Sequence, residues 1–390
     1  MLGALLRSLW ARPGRGAAAV PQVRPAPGAA GFVRELAALV ASRIDAREGD
    51  NFDHDRWPGA LRARSVVRAQ YFAAATLDDL GQRAHELAGA CGLLADATSR
   101  DWFRQLLAYR ILGHERVRLP SNTASHWEAR ERAKRLSAGP SPFVGMFGPL
   151  ARYALEFEGE RIALDCSWGN VAWTMFLRQY YFARDGVRIA PAPGDHVIDA
   201  GTCYGDTALA FAASVGPQGR VHGFEIDPDN IAIARHNFSA NPALAARLRL
   251  HEAALGPVQG KLFRHGSGPG ARVSAEPSAH EVRVTSIDRM FDSGEIEKVD
   301  FIKMDIEGAE LAALRGAQET LRRFRPRLAI SVYHQPDDLW RIPAWLDQLG
   351  AGYRFHLEHY TIHHEETVLY AQASSSPAQR PVPYIAEDLK

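Results

Sequence analysis

The sequence predicts an α/β protein, a mostly parallel sheet covered by helices on both faces, with a helical accessory region ahead of it. Three observations lead there. From about Gly194 onward, short apolar runs alternate with amphipathic stretches, as crossover helices between parallel strands require. One of these runs, His196 to Asp199, enters a turn carrying Gly201 and Gly205 and then a helix. Upstream of residue 150, helical periodicity dominates.

Along the chain, residues 1–30 read as a tail, since 11–30 are rich in Ala, Pro and Gly and hold too few large apolar groups to pack. The opening MLGALLRSLWARPGRG lacks the long apolar region and small-residue cleavage site of a signal peptide. An interfacial anchor through Leu2, Leu5, Leu6, Leu9 and Trp10 is its alternative reading. No run reaches the roughly 20 apolar residues of a membrane span. Helical patterns at Phe32 to Ala46, Thr76 to Cys91 and Ser99 to Leu112 make residues 31–150 the accessory region. The stretch Tyr153 to Leu164 alternates and turns at Glu158 and Gly159, a hairpin that opens a sheet domain over 151–372. Its expected strands are His196 to Asp199, Arg220 to Phe224, Leu248 to His251, Val299 to Met304 and Leu328 to Tyr333. Two final strands, near Phe355 and at Thr367 to Ala371, close the sheet with one antiparallel member. Asp227 followed by Pro228 starts a helix, and 373–390 is a second tail.

The chemistry concentrates at the strand ends. Glycine at 201 and 205 removes the Cβ atoms that would keep backbone from a ligand, and Glu225, ending the next strand, offers two oxygens to the hydroxyls of a ribose. Thr202, Cys203 and Tyr204 stand where a dinucleotide fingerprint places another glycine, so a pyrophosphate is not accommodated and NAD is the weaker reading. A nucleoside without phosphates, S-adenosyl-L-methionine, fits better. The expected cofactor residues are Asp199, Gly201, Thr202, Gly205, Asp206, Glu225, Ile226 and Asp305, with Glu252 facing the adenine. The run VDFIKMDIEGAELAALRG, Val299 to Gly316, is a buried-type strand, a carboxylate-rich turn and an amphipathic helix with Leu311 and Leu314 on one face. Asp305 and Glu307 fall in the turn, and Glu310 near the helix start, where capping alone also accounts for it.

DFIKMDIEGAE, the preceding VTSIDRMF, the VIDAGTCYGDTAL segment and the closing ETVLYA resemble the FkbM family of S-adenosylmethionine-dependent methyltransferases, in order and at its spacing, over roughly Arg152 to Gln372. YALEFEGERIAL and QYYF resemble the lead-in that many members carry. The family usually has Asn where Thr202 and Cys203 stand, a departure at the cofactor loop. The resemblance implies a Rossmann-like class I methyltransferase fold with a seven-stranded sheet. It also implies O-methylation, often of a sugar hydroxyl in a glycan, glycolipid or secondary metabolite.

A sulfonium methyl is already activated, so such an enzyme aligns an attacking oxygen and relieves it of its proton. The candidate bases are Asp305, Glu307, His334 and His359. His359, His363 and His364 in HYTIHHE lack metal-site context between two strands and read as scattered surface histidines; no metal is expected. Trp102, Trp127, Trp168 and Trp173 are candidates to stack on sugar rings, or core residues. A formal net charge of +1 over 390 residues gives no field for nucleic acid. Three cysteines, Cys91, Cys166 and Cys203, are far apart and odd in number, which points to a reducing, cytoplasmic setting. The expected partner is a small-molecule or glycan acceptor, without stable membrane insertion. Rival classes are a nicotinamide oxidoreductase, which needs the pyrophosphate loop absent here, and a non-catalytic scaffold, against which Glu225, Asp305 and Glu307 speak.

Overall fold

The computed structural model describes residues 28–374, so the expected tails fall almost wholly outside the described residues. Four helices come first: α1 (Ala29–Arg43), α2 (Ala60–Leu93), α3 (Ala97–Leu112) and α4 (Ala124–Arg135). Helix α2 begins well before the expected Thr76, because its first turns carry exposed Val66 and Val67 rather than an apolar stripe. Asp96 caps α3 by accepting from the Ser99 amide at 2.7 Å, and Thr123 caps α4.

Strand structure starts earlier than residue 150. Strands β1 (Gly139–Gly145), β2 (Gly148–Phe157) and β3 (Glu160–Cys166) form an antiparallel sheet in that order, with β2 and β3 the expected hairpin. Pro140 and Pro142 hide β1 from a strand reading, since proline is confined to strand edges.

The main sheet has seven strands: β4 (His196–Ala200), β5 (Arg220–Glu225), β6 (Leu248–Glu252), β7 (Phe301–Met304), β8 (Arg327–Ser331), β9 (Tyr353–His359) and β10 (Thr367–Ala373). Their order is β9-β10-β8-β7-β4-β5-β6, and β10 alone runs antiparallel to its neighbours. The order reverses direction at β4, which opens a crevice at the carboxyl ends of β4, β5 and β7. Helices α5 (Asp206–Val215), α6 (Pro228–Ser239), α7 (Glu310–Arg315) and α8 (Asp338–Gln348) make the crossovers. A small four-stranded sheet over 254–285, which the sequence reading did not foresee, sits between β6 and β7.

The accessory helices are not a separate packing unit. Phe32, Leu36, Leu87, Phe103 and Leu107 share one apolar core with Ile302 and Ile330 of the sheet and with Leu339, Trp340 and Phe355. The Ala95 amide donates to the Phe355 carbonyl at 2.8 Å, so the end of α2 is tied to β9.

At the centre of the sheet two charged residues face each other across paired strands, Asp199 on β4 and Lys303 on β7. Both are essentially inaccessible, and their ion pair measures 3.1 Å. The Lys303 ammonium also donates to the carbonyls of Ala200 (3.1 Å) and Gly201 (2.6 Å). Thr202 and Thr207 hydroxyls donate to the second Asp199 oxygen at 3.2 and 2.7 Å. Burial alone would push the ammonium down, but Asp199 and Asp305 hold it above its ordinary value. Removing one member of such a pair strands the other charge. Lys303→Met is therefore expected to cost about 3–5 kcal/mol of stability by urea unfolding, and an unchanged midpoint would contradict this role.

Candidate active site

One cavity of about 770 Å³ lies along the carboxyl edge of the main sheet, within the roughly 300–1,000 Å³ of ligand pockets. One end is formed by Gly201, Phe224, Glu225, Ile226 and the run Ala253 to Leu255; the other by Arg56, Trp57, Tyr71, Phe147 and Trp173. Asp305, Glu307 and His334 line it between these ends.

The first end is built on backbone. Gly201 has φ 81°, and a Cβ there would overlap the Asp305 carbonyl oxygen. Gly205 has φ 85°, and its Cβ would lie 2.7 Å from the Phe238 ring. Between them the loop turns back through Cys203, itself left-handed at φ 52°. The amides of Gly201 and Thr202 both donate to the Phe224 carbonyl at 3.0 Å, tying the loop to β5. Glu225 accepts from the Cys203 amide at 2.8 Å on one oxygen, and from the amides of Ile226 (2.7 Å) and Asp227 (2.9 Å) on the other. Burial raises its pKa, while those amides pull it back. The carboxylate is thus aimed by the backbone before any ligand arrives.

Several sequence-predicted residues take other places. Asp199 and Thr202 are wholly buried beneath the loop and bond each other, so they hold its shape and do not line the cavity. Gly205 packs on Phe238 and likewise stays off the lining. Glu252 is half exposed and paired with Arg235, off the lining of this cavity, whose wall is formed by the next residues, Ala253 to Leu255. His359 packs on Trp102 and bonds Thr367 through Nδ1 at 2.8 Å, away from the cavity. His363 and His364 are buried against the accessory region rather than on the surface, His363 accepting from the Asp53 amide at 3.0 Å. Asp206 does line the cavity, held by Thr174 at 2.8 Å. Of the four singled-out tryptophans only Trp173 reaches it; Trp57 joins it there.

A cluster of ionisable side chains follows β7 and β8. Asp305 accepts from the hydroxyls of Tyr180 (2.9 Å) and Tyr333 (3.0 Å), one on each oxygen. Although burial would raise it, His334, Lys303 and the two tyrosines hold this carboxyl below its ordinary value. Glu307 adopts φ 56°, a left-handed conformation that turns the chain from β7 into α7 beside the cavity. Glu310 is completely buried, accepts from the Ile306 amide at 2.8 Å and bonds His334 Nδ1 at 2.8 Å. That contact leaves His334 Nε2 facing Asp305 at 3.3 Å and Glu307 at 3.5 Å. Glu310 is therefore more than a helix cap. Asp305, Glu310 and His334 bring possible ligand atoms within 4.8 Å of one another. Nδ1 is nonetheless turned to Glu310 and Nε2 to the opposite side, so the three do not converge on one point.

Tyr180, Tyr333, Glu366, Arg56 and Trp57 escaped the sequence reading as site residues. Tyr180 and Glu366 lay within the quoted QYYF and ETVLYA segments, and Tyr333 precedes His334, so a signal existed for them. Arg56 and Trp57 sit in an irregular loop between helices, without periodicity or motif.

Burial pushes His334 down, but Glu310 and Glu307 hold it well above its ordinary 6.5. A folded-state value above the unfolded one means that the imidazolium stabilises the fold fully below pH 6.5 and ceases to as pH rises through the folded value. The stability difference between wild type and His334→Asn, measured by urea unfolding, is expected to be largest in acid and to shrink in alkali. A difference that stays flat with pH would remove the charge from His334.

Comparison with known proteins agrees with this geometry. The family model of the methyltransferase FkbM domain matches residues 199–355. The crystal structure of a methyltransferase FkbM from Methylobacillus flagellatus KT aligns at TM-score 0.50 and 18% identity, over 75% of this chain and 60% of that one. An arsenite methyltransferase of Halobacterium salinarum is 39% identical over 69 residues, 18% of this chain and 18% of that protein. The chain thus spans under two thirds of the length of either relative. Residues 199–355 are thus similar to the methyltransferase FkbM domain, and the fold is that of a solved methyltransferase FkbM.

Proposed function

We propose that the chain is an S-adenosyl-L-methionine-dependent methyltransferase acting on a hydroxyl oxygen, with a sugar or another polyol-bearing small molecule or glycan as acceptor. The observation that carries this reading is one continuous cavity with an amide-aimed Glu225 beside bare Gly201 at one end and a carboxylate–imidazole cluster midway. When bound, the cofactor supplies a methyl group on a positively charged sulfur, already activated for transfer to an oxygen. Glu225 would hold the ribose hydroxyls, Ile226 and Ala253 to Leu255 the adenine, and the Gly201 loop with Asp206 the amino acid portion. The pocket of carboxylates, Asp305, Glu307 and Asp206, complements the cationic sulfur.

The chain's own residues then divide the remaining work. Asp305, occupied on both oxygens by tyrosine hydroxyls, orients the acceptor. Glu307 stands free of those tyrosines on the cavity wall and takes the hydroxyl proton. His334, fixed by Glu310, sits 3.5 Å from it and stabilises the charge it bears at rest. At the acceptor end Trp57, Trp173 and Tyr71 offer aromatic faces, and Arg56 and Arg68 offer donors, a combination suited to sugar rings. Among the described residues no helix is long and apolar enough to cross a membrane.

Calorimetric titration with S-adenosylhomocysteine, and NADH in parallel, tests the cofactor. Micromolar binding of the former alone is expected, weakened by about 1–3 kcal/mol in Glu225→Ala through loss of charged hydrogen bonds. Equal affinity in that variant would reject the ribose assignment, and binding of NADH alone would replace the reading. For Asp305→Asn, assayed with acceptors from a glycoside screen, turnover should fall roughly 100-fold or more with the fold and homocysteine-product affinity retained. Wild-type turnover would take Asp305 out of the chemistry.

A further inference from the structure

Arg56 belongs to the accessory region by sequence and to the reactive centre by position. It lies in the irregular segment between α1 and α2, and that segment is bolted down. Asp53 accepts from the Arg56 amide at 2.9 Å and from buried Arg130 of α4 at 2.8 Å, while its own amide donates to His363. Asn51 donates to the carbonyls of His114 (2.7 Å) and Val117 (2.9 Å). The Arg56 guanidinium is thereby delivered to the cavity wall, over the Trp173 ring at 4.1 Å and beside Trp57 at 5.7 Å. There it donates to Glu366 at 2.9 Å.

Glu366 is a buried carboxylate one step from Asp305. Tyr333 places its single hydroxyl proton between them, 3.0 Å from Asp305 and 3.3 Å from Glu366. Gln179 closes the other side, donating to Glu366 at 3.0 Å and to the Tyr180 oxygen at 3.1 Å, and Tyr180 donates onward to Asp305 at 2.9 Å. Asp305, Tyr333, Glu366, Gln179 and Tyr180 thus form a closed ring holding two carboxylates. The groups facing Glu366 are Arg56 from the loop, Gln179 from the segment before β4, and Asp305 and Tyr333 from the sheet edge; Glu365, its chain neighbour, adds a further charge. Lys303 and His334 balance the Asp305 side. On the Glu366 side the ion pair is Arg56 alone among the described residues. Burial and Asp305 push Glu366 up, against the pull of Arg56.

We infer that Arg56 is a positioning residue of the active site, which fixes the charge of Glu366 and, through the shared Tyr333 hydroxyl, the orientation and charge of Asp305. This deepens the methyl-transfer reading and rests on it for its catalytic meaning. Loss of the guanidinium would let Glu366 take a proton, turn the Tyr333 hydroxyl toward Asp305 alone and misalign the group that orients the acceptor.

Carboxyl carbon-13 NMR on protein labelled at Asp and Glu reads this directly, with Glu366→Gln and Asp305→Asn assigning the two signals. In Arg56→Gln the Glu366 midpoint should rise by at least about one pH unit, the Asp305 midpoint should fall as a neutral Glu366 leaves it the Tyr333 proton, and Arg56→Lys should largely restore both. Arg56→Gln/Glu366→Gln should melt above Arg56→Gln, because the double variant no longer buries the Glu366 carboxyl without its ion pair. It also serves if the single variant folds poorly, since its Asp305 signal should still differ from wild type. Midpoints of both carboxyls unchanged in Arg56→Gln, or a double variant no more stable than the single one, would overturn the inference. Titration of the same samples with S-adenosylhomocysteine keeps the two readings apart. Wild type that binds none of it fails as a methyltransferase whatever Arg56 does, whereas unaltered affinity in Arg56→Gln with shifted carboxyls places the effect on the acceptor side.

Discussion

The arrangement hangs on one ammonium in a place where charge is costly. Lys303 lies in the middle of the sheet, inaccessible to water, and has Asp199 across the strand pair on one side and Asp305 beyond the strand end on the other. Its remaining donors go to the carbonyls of Ala200 and Gly201, where the glycine loop begins. One side chain therefore sets the shape of the Gly201 loop and the charge of the Asp305 cluster at once. A hydrophobic residue of similar volume would fill the space but would leave the loop carbonyls and one Asp199 oxygen without their donor.

Charge compensation then proceeds outward in pairs. Glu225 is matched by backbone amides, Glu310 by His334, Glu366 by Arg56. Each anion at the strand ends is aimed by a group whose own position is fixed elsewhere, by a strand, a helix start or a bolted loop. That pre-set geometry suits the methyl transfer proposed above, in which the chain would contribute alignment and charge rather than a covalent step.

Much of this was legible because the main strands are continuous apolar runs that end in chemistry-bearing turns. The order of motifs gave the seven-stranded sheet, and Gly201, Asp206, Glu225, Ile226, Asp305, Glu307 and His334 do share one cavity. What failed to show has physical causes. Asp199 and Thr202 sit in the motif yet are buried and bonded to each other, with Asp199 drawn to Lys303 rather than to the cavity. Glu252 pairs with Arg235 instead, off this cavity. The histidines near residue 360 looked like surface residues because their burial comes from helices some 250 residues away in sequence, as in the contact between His363 and Tyr109 at a separation of 254. Arg56 lacks any local pattern, and only the packing of the accessory helices brings it to Glu366.

That packing has a consequence for how the polypeptide acquires its shape. The amide of Asp53 meets His363 across a separation of 310 residues, and His356 meets Asp96 across 260. The helices before β1 carry apolar faces whose cover, β9 and β10, follows more than 200 residues later in the chain. Contacts that close over such separations slow folding, because the loop between them must be ordered before they form.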